Sequence, residues 1–318
     1  MTFLVSMADE TIYIGLDAGG SKTELVAGST QHEELLNLFD SSANPARVGF
    51  DQSVEVLSRM IREAVRQLPG WTVASVCAGI AGAGRISDQS RIHDGIHENI
   101  PELASEHIVI VHDADIALEA AFEDEGGIMV IAGTGSVALA RTENGESKRV
   151  GGWGYLIGDE GSGYALGLLG MRAYAHAIDG GPETILQSRI AEEFGIHNVT
   201  DIFYRIYEEK MPLQKIAPLV ARTAEEGDRV ALEIVERQTR ELAEQVRWLA
   251  AQCPNITQQF ALLGGLVNEP FYREALKEAI QLALGGWTVV EPLNRPVIGA
   301  WRLARRRARA IKEAGTVG

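Results

Sequence analysis

A glycine-rich turn directly follows an acidic residue near the start of the chain. Asp17 ends a short apolar run, and Gly19, Gly20, Ser21 and Thr23 follow it. Glycines let the backbone approach an anion closely, and successive N–H groups form a concavity that binds phosphate. A carboxylate beside such a turn can hold Mg²⁺ through water. An ordinary hairpin tip has the same composition, so this turn alone does not separate a binding loop from a structural one.

A second turn of the same kind spans residues 133–136, with the sequence Gly-Thr-Gly-Ser. It also joins two short apolar runs and combines glycine with hydroxyl groups. Two such tips could grip a polyphosphate from both sides. The first turn matches neither the P-loop nor the dinucleotide-binding fingerprint. The recurrence of the hairpin indicates an internal duplication, with a similar turn opening each half of the chain.

An acidic pair follows another apolar run, residues 108–111. Asp113 stands at the strand end, where α/β sheets place their ligands, and is therefore the better candidate for a general base. Asp115 is equally well explained as the N-cap of the helix that follows. For His112, a packed or hydrogen-bonded side chain is favoured over a catalytic one.

Residues 151–163 form a segment rich in glycine, with aromatic side chains and two carboxylates interleaved before a helix. Ordering such a glycine-rich loop costs much conformational entropy, which argues against a loop that only connects two elements and has no function of its own. Carboxylates, an aromatic ring and exposed backbone amides suit the hydroxyl groups of a sugar. A metal site would need more ligands than this segment offers.

The elements that must position these residues alternate between strands and helices, which favours an α/β architecture. Short apolar runs predict strands, and apolar residues at helical spacing predict helices. The predicted strands are 12–17, 24–28, 73–80, 108–111, 128–132, 137–141 and 260–263. The predicted helices are 53–67, 116–122, 161–178, 228–253, 271–284 and 296–314.

Composition narrows the class of partner. The 318 residues carry a formal net charge of −15, which opposes binding to nucleic acid and to anionic membranes. Two cysteines, Cys77 and Cys253, are too few for a disulfide framework, and no apolar run is long enough to cross a bilayer. We therefore expect a cytoplasmic protein whose partner is a small molecule. The basic residues of segment 296–314 are interpreted as a solvated helix face.

Taken in chain order, these motifs resemble those of the BadF/BadG/BcrA/BcrD-type ATPases and, within them, of the N-acetylglucosamine kinases of the actin and sugar kinase superfamily. The resemblance covers about residues 12–300, and the pair GGWG and GDEGS is its most specific part. The motifs are Asp17-Ala18-Gly19-Gly20-Ser21-Lys22-Thr23, Gly79-Ile80-Ala81-Gly82-Ala83-Gly84, His112-Asp113-Ala114, Ala132-Gly133-Thr134-Gly135-Ser136, Gly151-Gly152-Trp153-Gly154, Gly158-Asp159-Glu160-Gly161-Ser162 and Leu263-Gly264-Gly265.

The resemblance implies two RNase H-like, actin-like ATPase domains that flank a nucleotide and sugar cleft. We expect the first domain at residues 11–118 together with the C-terminal helix at about 297–314, and the second at residues 119–296. The resemblance also implies ATP and Mg²⁺ as cofactors and an amino sugar as the small-molecule substrate. A homodimer is one possible assembly.

Site residues follow from the motifs, position by position. The resemblance implies that Asp17 holds the metal through water and that Asp113 is the catalytic base and contacts the sugar. Further sugar contacts are implied for Asn44, Gly152, Trp153 and Asp159. Contacts to ATP and its phosphates are implied for Gly19, Gly20, Ser21, Lys22, Thr23, Gly133, Thr134, Gly135, Ser136, Gly264 and Gly265.

The implied reaction is ATP-dependent phosphorylation of N-acetylglucosamine or glucosamine at the 6-hydroxyl, with Asp113 as general base. Departures from the mammalian pattern leave the sugar open: no tryptophan lies near Asn44, and Val137 stands where that kinase has asparagine. Asn44-Pro45 is also a common turn. A nucleotide-dependent sensor and a kinase of another hexose are the alternatives. The family's iron–sulfur reductase activators are disfavoured, since neither cysteine falls in their motifs.

Overall fold

Strands and helices alternate along the computed structural model, which describes residues 11–122, 126–141 and 147–315. The strands are β1 (Thr11–Ala18), β2 (Lys22–Gly28), β3 (Leu36–Ser41), β4 (Thr72–Ile80), β5 (Ile108–His112), β6 (Ile128–Ala132), β7 (Ser136–Arg141), β8 (Ser147–Gly151), β9 (Gln259–Leu263) and β10 (Thr288–Val290). The α-helices are α1 (Pro45–Val48), α2 (Phe50–Gln67), α3 (Ile86–Asn99), α4 (Asp113–Phe122), α5 (Gly163–Ile178), α6 (Leu186–Phe194), α7 (Val199–Ile202), α8 (Ala217–Glu225), α9 (Arg229–Ala251), α10 (Pro270–Leu284) and α11 (Pro296–Gly315). Every segment predicted as a strand or helix is confirmed, with ends shifted by up to three residues.

The first sheet lies in a unit that groups Met1–Asp124 with Pro292–Gly318. Within the described residues this sheet has five strands, in the order β3-β2-β1-β4-β5. Strands β1, β2 and β3 are antiparallel neighbours, whereas β1, β4 and β5 run parallel. Parallel strands end at the same edge of a sheet, so β1 and β5 bring Asp17 and Asp113 to one edge.

Glu125–Glu291 forms the other unit, whose described residues contain a second five-stranded sheet. Its order, β8-β7-β6-β9-β10, repeats the order of the first sheet with the same antiparallel and parallel pairs. The duplication predicted from the two glycine-tipped hairpins is therefore confirmed at the level of topology. The predicted fold class, a mixed α/β chain of two RNase H-like units, is also confirmed.

The core of the first unit is built on β1, whose Ile12, Ile14 and Leu16 are fully buried and cluster with Leu57 of α2. Helix α11 approaches β1 at a glycine. A Cβ on Gly15 would lie 2.3 Å from Trp301 N, closer than any side chain allows. Glycine at this position therefore lets the C-terminal helix pack directly on the strand that carries Asp17.

The basic face of α11 pairs with carboxylates of its own unit. Arg306 pairs with the buried Glu119 at 2.7 Å, and Arg302 pairs with Glu33 at 3.2 Å. These pairs offset charge locally, and the interpretation of the basic residues as a solvated helix face stays a prediction.

The bounds of the two units can be compared with the domain limits expected from the sequence. The limit expected after residue 118 falls inside α4, and the first unit extends to Asp124. The expected limits at 118 and 296 remain predictions. None of the helices in the described ranges is long and apolar enough to cross a membrane.

Candidate active site

The turn between β1 and β2 is closed by its own backbone, with Gly19 N donating to Lys22 O at 3.0 Å. Thr23 Oγ1 donates a hydrogen bond to Ser41 O at 2.8 Å and accepts one from Ala43 N at 3.0 Å. The Thr23 side chain is fully buried, whereas Ser21 and Lys22 are exposed. The hydroxyl of Thr23 thus anchors the turn, and the exposed residues of the tip are the accessible ones.

Asp17 lies at the carboxyl end of β1, opposite Glu24 in the hairpin. Burial, followed by the nearby charges of Asp113 and Glu24, raises the pKa of Asp17 to about 6, which Lys22 opposes only in part. A carboxylate whose ionisation is opposed in this way is stabilised by a cation beside it. Carboxylate oxygens are also the ligands that Mg²⁺ prefers. The described residues hold no group of three or more metal-ligating side chains, so the chemistry of the Asp17 carboxylate fits the predicted role, in which it holds the metal through water.

Glu24 is held beside Asp17 by residues that the sequence did not point to. Arg295, directly before α11, pairs with Glu24 and also with Glu34. Asn37 Nδ2 donates to Glu24 Oε1 at 3.2 Å. Arg295 is 271 positions from Glu24 in the chain, so no local pattern could reveal the contact.

Asp113 is the first residue of α4, and its side chain is 39% exposed. Asp113 Oδ1 accepts hydrogen bonds from His112 Nδ1 and Ala114 N, both at 2.8 Å. Burial acts to raise the pKa of Asp113, but the His112 and Ala114 hydrogen bonds outweigh it and hold the pKa below its usual value. The candidate base is therefore ionised and accessible, as a proton acceptor must be. Asp115 lies within the first turn of α4, not before it, so its N-cap interpretation is wrong.

Asn44 is the N-cap of α1, and its Oδ1 accepts a hydrogen bond from Ala46 N at 2.9 Å. Gly82 makes room for this side chain, since a Cβ there would lie 2.6 Å from Asn44 Oδ1. The turn role weighed for Asn44-Pro45 is thus observed. The sugar contact stays a prediction.

In the other unit, the Gly133–Ser136 turn is tied to the segment that precedes α5. Gly163 N donates to Gly133 O at 2.7 Å, and Ser136 Oγ donates to Glu160 O at 2.7 Å. Gly264, after β9, approaches the same turn, since a Cβ on it would lie 2.3 Å from Ala132 O. Only glycine can stand at this position, whose φ is also positive at 106°.

Asp159 lies against this turn. Its side chain is 8% exposed, and its φ of 63° is in the left-handed region, which costs a non-glycine residue of order 1 kcal/mol. Asp159 Oδ2 lies 2.7 Å from the position that a Cβ on Gly135 would occupy. The residue predicted to bind sugar is therefore next to the turn predicted to bind phosphate. Backbone strain of this kind clusters at functional sites.

Gly152 and Trp153 lie beside the same turn. Gly152 N donates to Ser136 O at 3.0 Å. The Trp153 side chain is 65% exposed, and its Cβ lies 3.1 Å from the position of a Cβ on Gly158. The second unit thus brings the predicted sugar residues Gly152, Trp153 and Asp159 together with the turn at 133–136.

The model of the BadF/BadG/BcrA/BcrD ATPase family matches residues 14–304 of the chain. The chain belongs to this family.

Relatives of this BadF-family chain include named kinases. An N-acetylmuramic acid/N-acetylglucosamine kinase of Clostridium acetobutylicum is 32% identical over 302 residues, which cover 92% of this chain and 97% of the relative. An N-acetyl-D-glucosamine kinase of Dictyostelium discoideum is 30% identical over 235 residues, which cover 69% of this chain and 73% of the relative. The solved structure of a ROK hexokinase from Thermus thermophilus is similar with a TM-score of 0.61 at 20% identity, covering 93% of this chain and 99% of that one. At that identity the likeness shows the fold alone.

Two buried glutamines of α9 hold the glycine-rich segment of the BadF-family chain, and sequence reasoning missed both. Gln245 Nε2 donates to Glu160 Oε2 at 2.6 Å, and Gln238 Oε1 accepts from Gly161 N at 2.9 Å. Gln245 is only 7% exposed and Gln238 only 4%. The available signal was two amides at helical spacing on an otherwise apolar helix face.

Proposed function

We propose that this chain transfers the γ-phosphoryl group of ATP to the 6-hydroxyl of an amino sugar, either N-acetylglucosamine or glucosamine. The coarser part of this function, an ATP-dependent sugar kinase, is borne out by the family match and by the named kinase relatives. The acceptor hydroxyl, the base and the metal are the finer parts of the proposal.

One observation carries these finer parts: Asp17 and Asp113 interact electrostatically at one sheet edge, and their pKa values move in opposite directions. Carboxylates with separated pKa values are typical of sites where the two groups have different tasks. The low pKa of Asp113 suits a group that must be ionised before it accepts a proton. The raised pKa of Asp17 suits a group that pairs with a cation.

Asp113 orients the sugar 6-hydroxyl and accepts its proton as the hydroxyl attacks the γ-phosphoryl group. Because the pKa of Asp113 is low, the proton moves late, and positioning supplies most of the rate. Asp17 would hold Mg²⁺ through water, and the ion would supply positive charge beside the phosphoryl oxygens. His112 fixes the orientation of the Asp113 carboxylate.

The remaining predicted residues bind the two substrates. Backbone N–H groups of the turns at 19–23 and 133–136 bind phosphate, and Gly264 and Gly265 lie against the adenosine. Asn44, Gly152, Trp153 and Asp159 bind the sugar. Support for an amino sugar comes from the names of the kinase relatives and from the carboxylate, aromatic ring and backbone amides of the segment 151–163.

The test is release of ADP from ATP and Mg²⁺ by the purified chain, with and without a panel of sugars. The panel contains N-acetylglucosamine, glucosamine, glucose and N-acetylmannosamine. Strong stimulation by an amino sugar is expected. Stimulation by glucose alone would indicate a kinase of another hexose, and no stimulation by any sugar would contradict the proposal and favour a nucleotide-dependent sensor.

A further inference from the structure

The segment 41–44, which leads from the end of β3 to the N-cap of α1, is held by buried hydroxyl groups. Thr23 Oγ1 bonds two backbone groups of this segment, and Ser53 Oγ of α2 donates to Ala43 O at 2.6 Å. Thr23 and Ser53 are fully buried, and Ser42, which carries the third hydroxyl, is only 8% exposed. The course of this backbone therefore depends on three side chains.

The Ser42 hydroxyl joins two residues that are assigned to different substrates. Ser42 Oγ donates to Gly19 O at 2.9 Å and accepts from Asn44 N at 3.2 Å. A hydroxyl has one donor and two acceptor sites, so it makes both bonds at once. Gly19 belongs to the turn proposed to bind phosphate, and Asn44 is proposed to bind the sugar. One buried hydroxyl thus sets the distance between the backbones of the two.

Arg47 ties the same two segments a second time. It lies in α1, directly after the N-cap Asn44, and its backbone N donates to Asn44 O at 3.0 Å. Its guanidinium donates to Gly20 O, in the turn at 19–23. Arg47 is exposed, so water competes for its hydrogen bond, whereas the Ser42 hydroxyl is shielded. Ser42 is therefore the stronger of the two ties.

We propose that Ser42 is a positioning residue for phosphoryl transfer, whose hydroxyl holds Asn44 in register with the turn at 19–23. This inference rests on the proposed function, because it takes Asn44 as a sugar residue and the turn as a phosphate site. Transfer between two bound substrates depends steeply on their relative placement, and an error of 1 Å can cost about 100-fold in rate. Binding of either substrate alone is less sensitive, since each segment keeps its own contacts.

The experiment compares the unaltered chain with Ser42→Ala, which removes the hydroxyl, and with Ser42→Thr, which keeps it. Ser75→Ala is the matched control: Ser75 is fully buried in the same unit, and its Oγ donates to the backbone oxygen of His107 at 3.1 Å. The readouts are kcat, the KM for sugar and for ATP, calorimetric binding of each substrate alone, thermal stability, and hydrogen exchange in residues 19–23 and 42–47.

Ser42→Ala should lower kcat about 10-fold to 100-fold, while the dissociation constants of sugar alone and of ATP alone stay close to those of the unaltered chain. Exchange at the Asn44 N–H should become faster, since this group loses its acceptor. Ser42→Thr should recover most of the rate. Ser75→Ala should keep the kcat of the unaltered chain, because its hydroxyl bonds neither segment.

A double-mutant cycle shows whether Ser42 acts through Asn44. In the Asn44→Ala background the side chain that Ser42 positions is gone, so Ser42→Ala should lower kcat far less than it does in the unaltered chain. Equal losses of kcat in both backgrounds would show that Ser42 acts independently of Asn44, against the inference.

Arg47→Ala keeps the inference testable if Ser42→Ala does not fold. It should give the same pattern with a smaller loss of kcat. Arg62→Ala is its control, because Arg62 is also exposed and its Nη2 donates to the backbone oxygen of Asn99 at 3.2 Å. An Arg47→Ala protein with the kcat of Arg62→Ala would contradict the second tie between the segments.

Three results would overturn the inference while leaving the proposed function standing. They are an unchanged kcat in Ser42→Ala, an equal loss of kcat in Ser75→Ala, and a Ser42→Thr protein that is as stable as the unaltered chain but as slow as Ser42→Ala. Failure of the unaltered chain to phosphorylate any amino sugar would overturn the proposed function and the inference with it.

Discussion

His112 Nδ1 lies 2.8 Å from Asp113 Oδ1. Burial acts to raise the pKa of Asp113, and this contact is the first of the interactions that reverse the effect. The residue directly before the candidate base therefore sets how readily the base ionises. Both belong to the short motif at the end of β5, so strand and helix geometry alone bring them together.

Replacing His112 with leucine is expected to move the acidic limb of the kcat profile to higher pH. Without the His112 hydrogen bond, burial is opposed mainly by the Ala114 N–H, so the pKa of Asp113 rises. The measurement is a pH–rate profile at saturating Mg²⁺, ATP and sugar. His112→Asn, which can still donate a hydrogen bond, should keep the limb closer to that of the unaltered chain. An acidic limb that stays in place in the leucine variant would show that His112 does not tune the base.

Asp17→Asn should stabilise the metal-free protein at pH 8 while abolishing kinase activity. The Asp17 pKa rises from 3.8 to about 6 in the folded state, so its ionised form opposes folding. This destabilisation is absent at low pH, grows as pH rises through the window from 3.8 to about 6, and is complete above it. Removing the charge should therefore add about 1–3 kcal/mol to the free energy of unfolding at pH 8.

Urea unfolding in the presence of a chelator, at pH 4 and pH 8, measures this difference. Added Mg²⁺ should stabilise the unaltered chain and Asp94→Asn, which alters a carboxylate that is 71% exposed, but not Asp17→Asn. Equal stabilisation of all three proteins by Mg²⁺ would remove Asp17 from the metal site.

Gln245→Leu should weaken sugar binding more than ATP binding. The change leaves the partly buried Glu160 side chain without its 2.6 Å hydrogen bond, which costs up to about 1–3 kcal/mol where the carboxylate is shielded from water. We expect a KM for sugar raised about 10-fold and faster hydrogen exchange in residues 151–163. Gln252→Leu is the control, because the exposed Gln252 side chain donates to Trp248 O of the same helix and makes no hydrogen bond to the glycine-rich segment among the described residues. Unchanged exchange in the segment would contradict the positioning role.

The fold was largely predictable because its central strands and long helices carry clear apolar patterns. The strands that were missed, β3, β8 and β10, are all edge strands of their sheets. Edge strands bury fewer side chains: β3 shows no buried residue, and β8 buries only Gly151. A partly solvated strand with polar residues lacks the apolar run on which strand prediction depends.

The site was predictable where motifs are local and not where partners come from far along the chain. Asp113 and the glycine turns could be placed by position alone. Arg295 beside Glu24 and Gln245 beside Glu160 could not, since those pairs are 271 and 85 residues apart. Thr23 shows a further limit of prediction from sequence. A hydroxyl group in a glycine-rich turn suggested a contact to phosphate, but in the structure segment 41–43 packs against the Thr23 side chain and buries it.

Asp113 is proposed to act as the base in phosphoryl transfer to an amino sugar. Asp113→Asn tests this role, with formation of the sugar 6-phosphate followed by mass spectrometry and NMR. Sugar and ATP binding, measured by calorimetry, and thermal stability serve as controls, with Asp94→Asn as the matched substitution. We expect turnover to fall at least ~10²-fold with both ligands still bound. Near-normal turnover in Asp113→Asn would rule out Asp113 as the base.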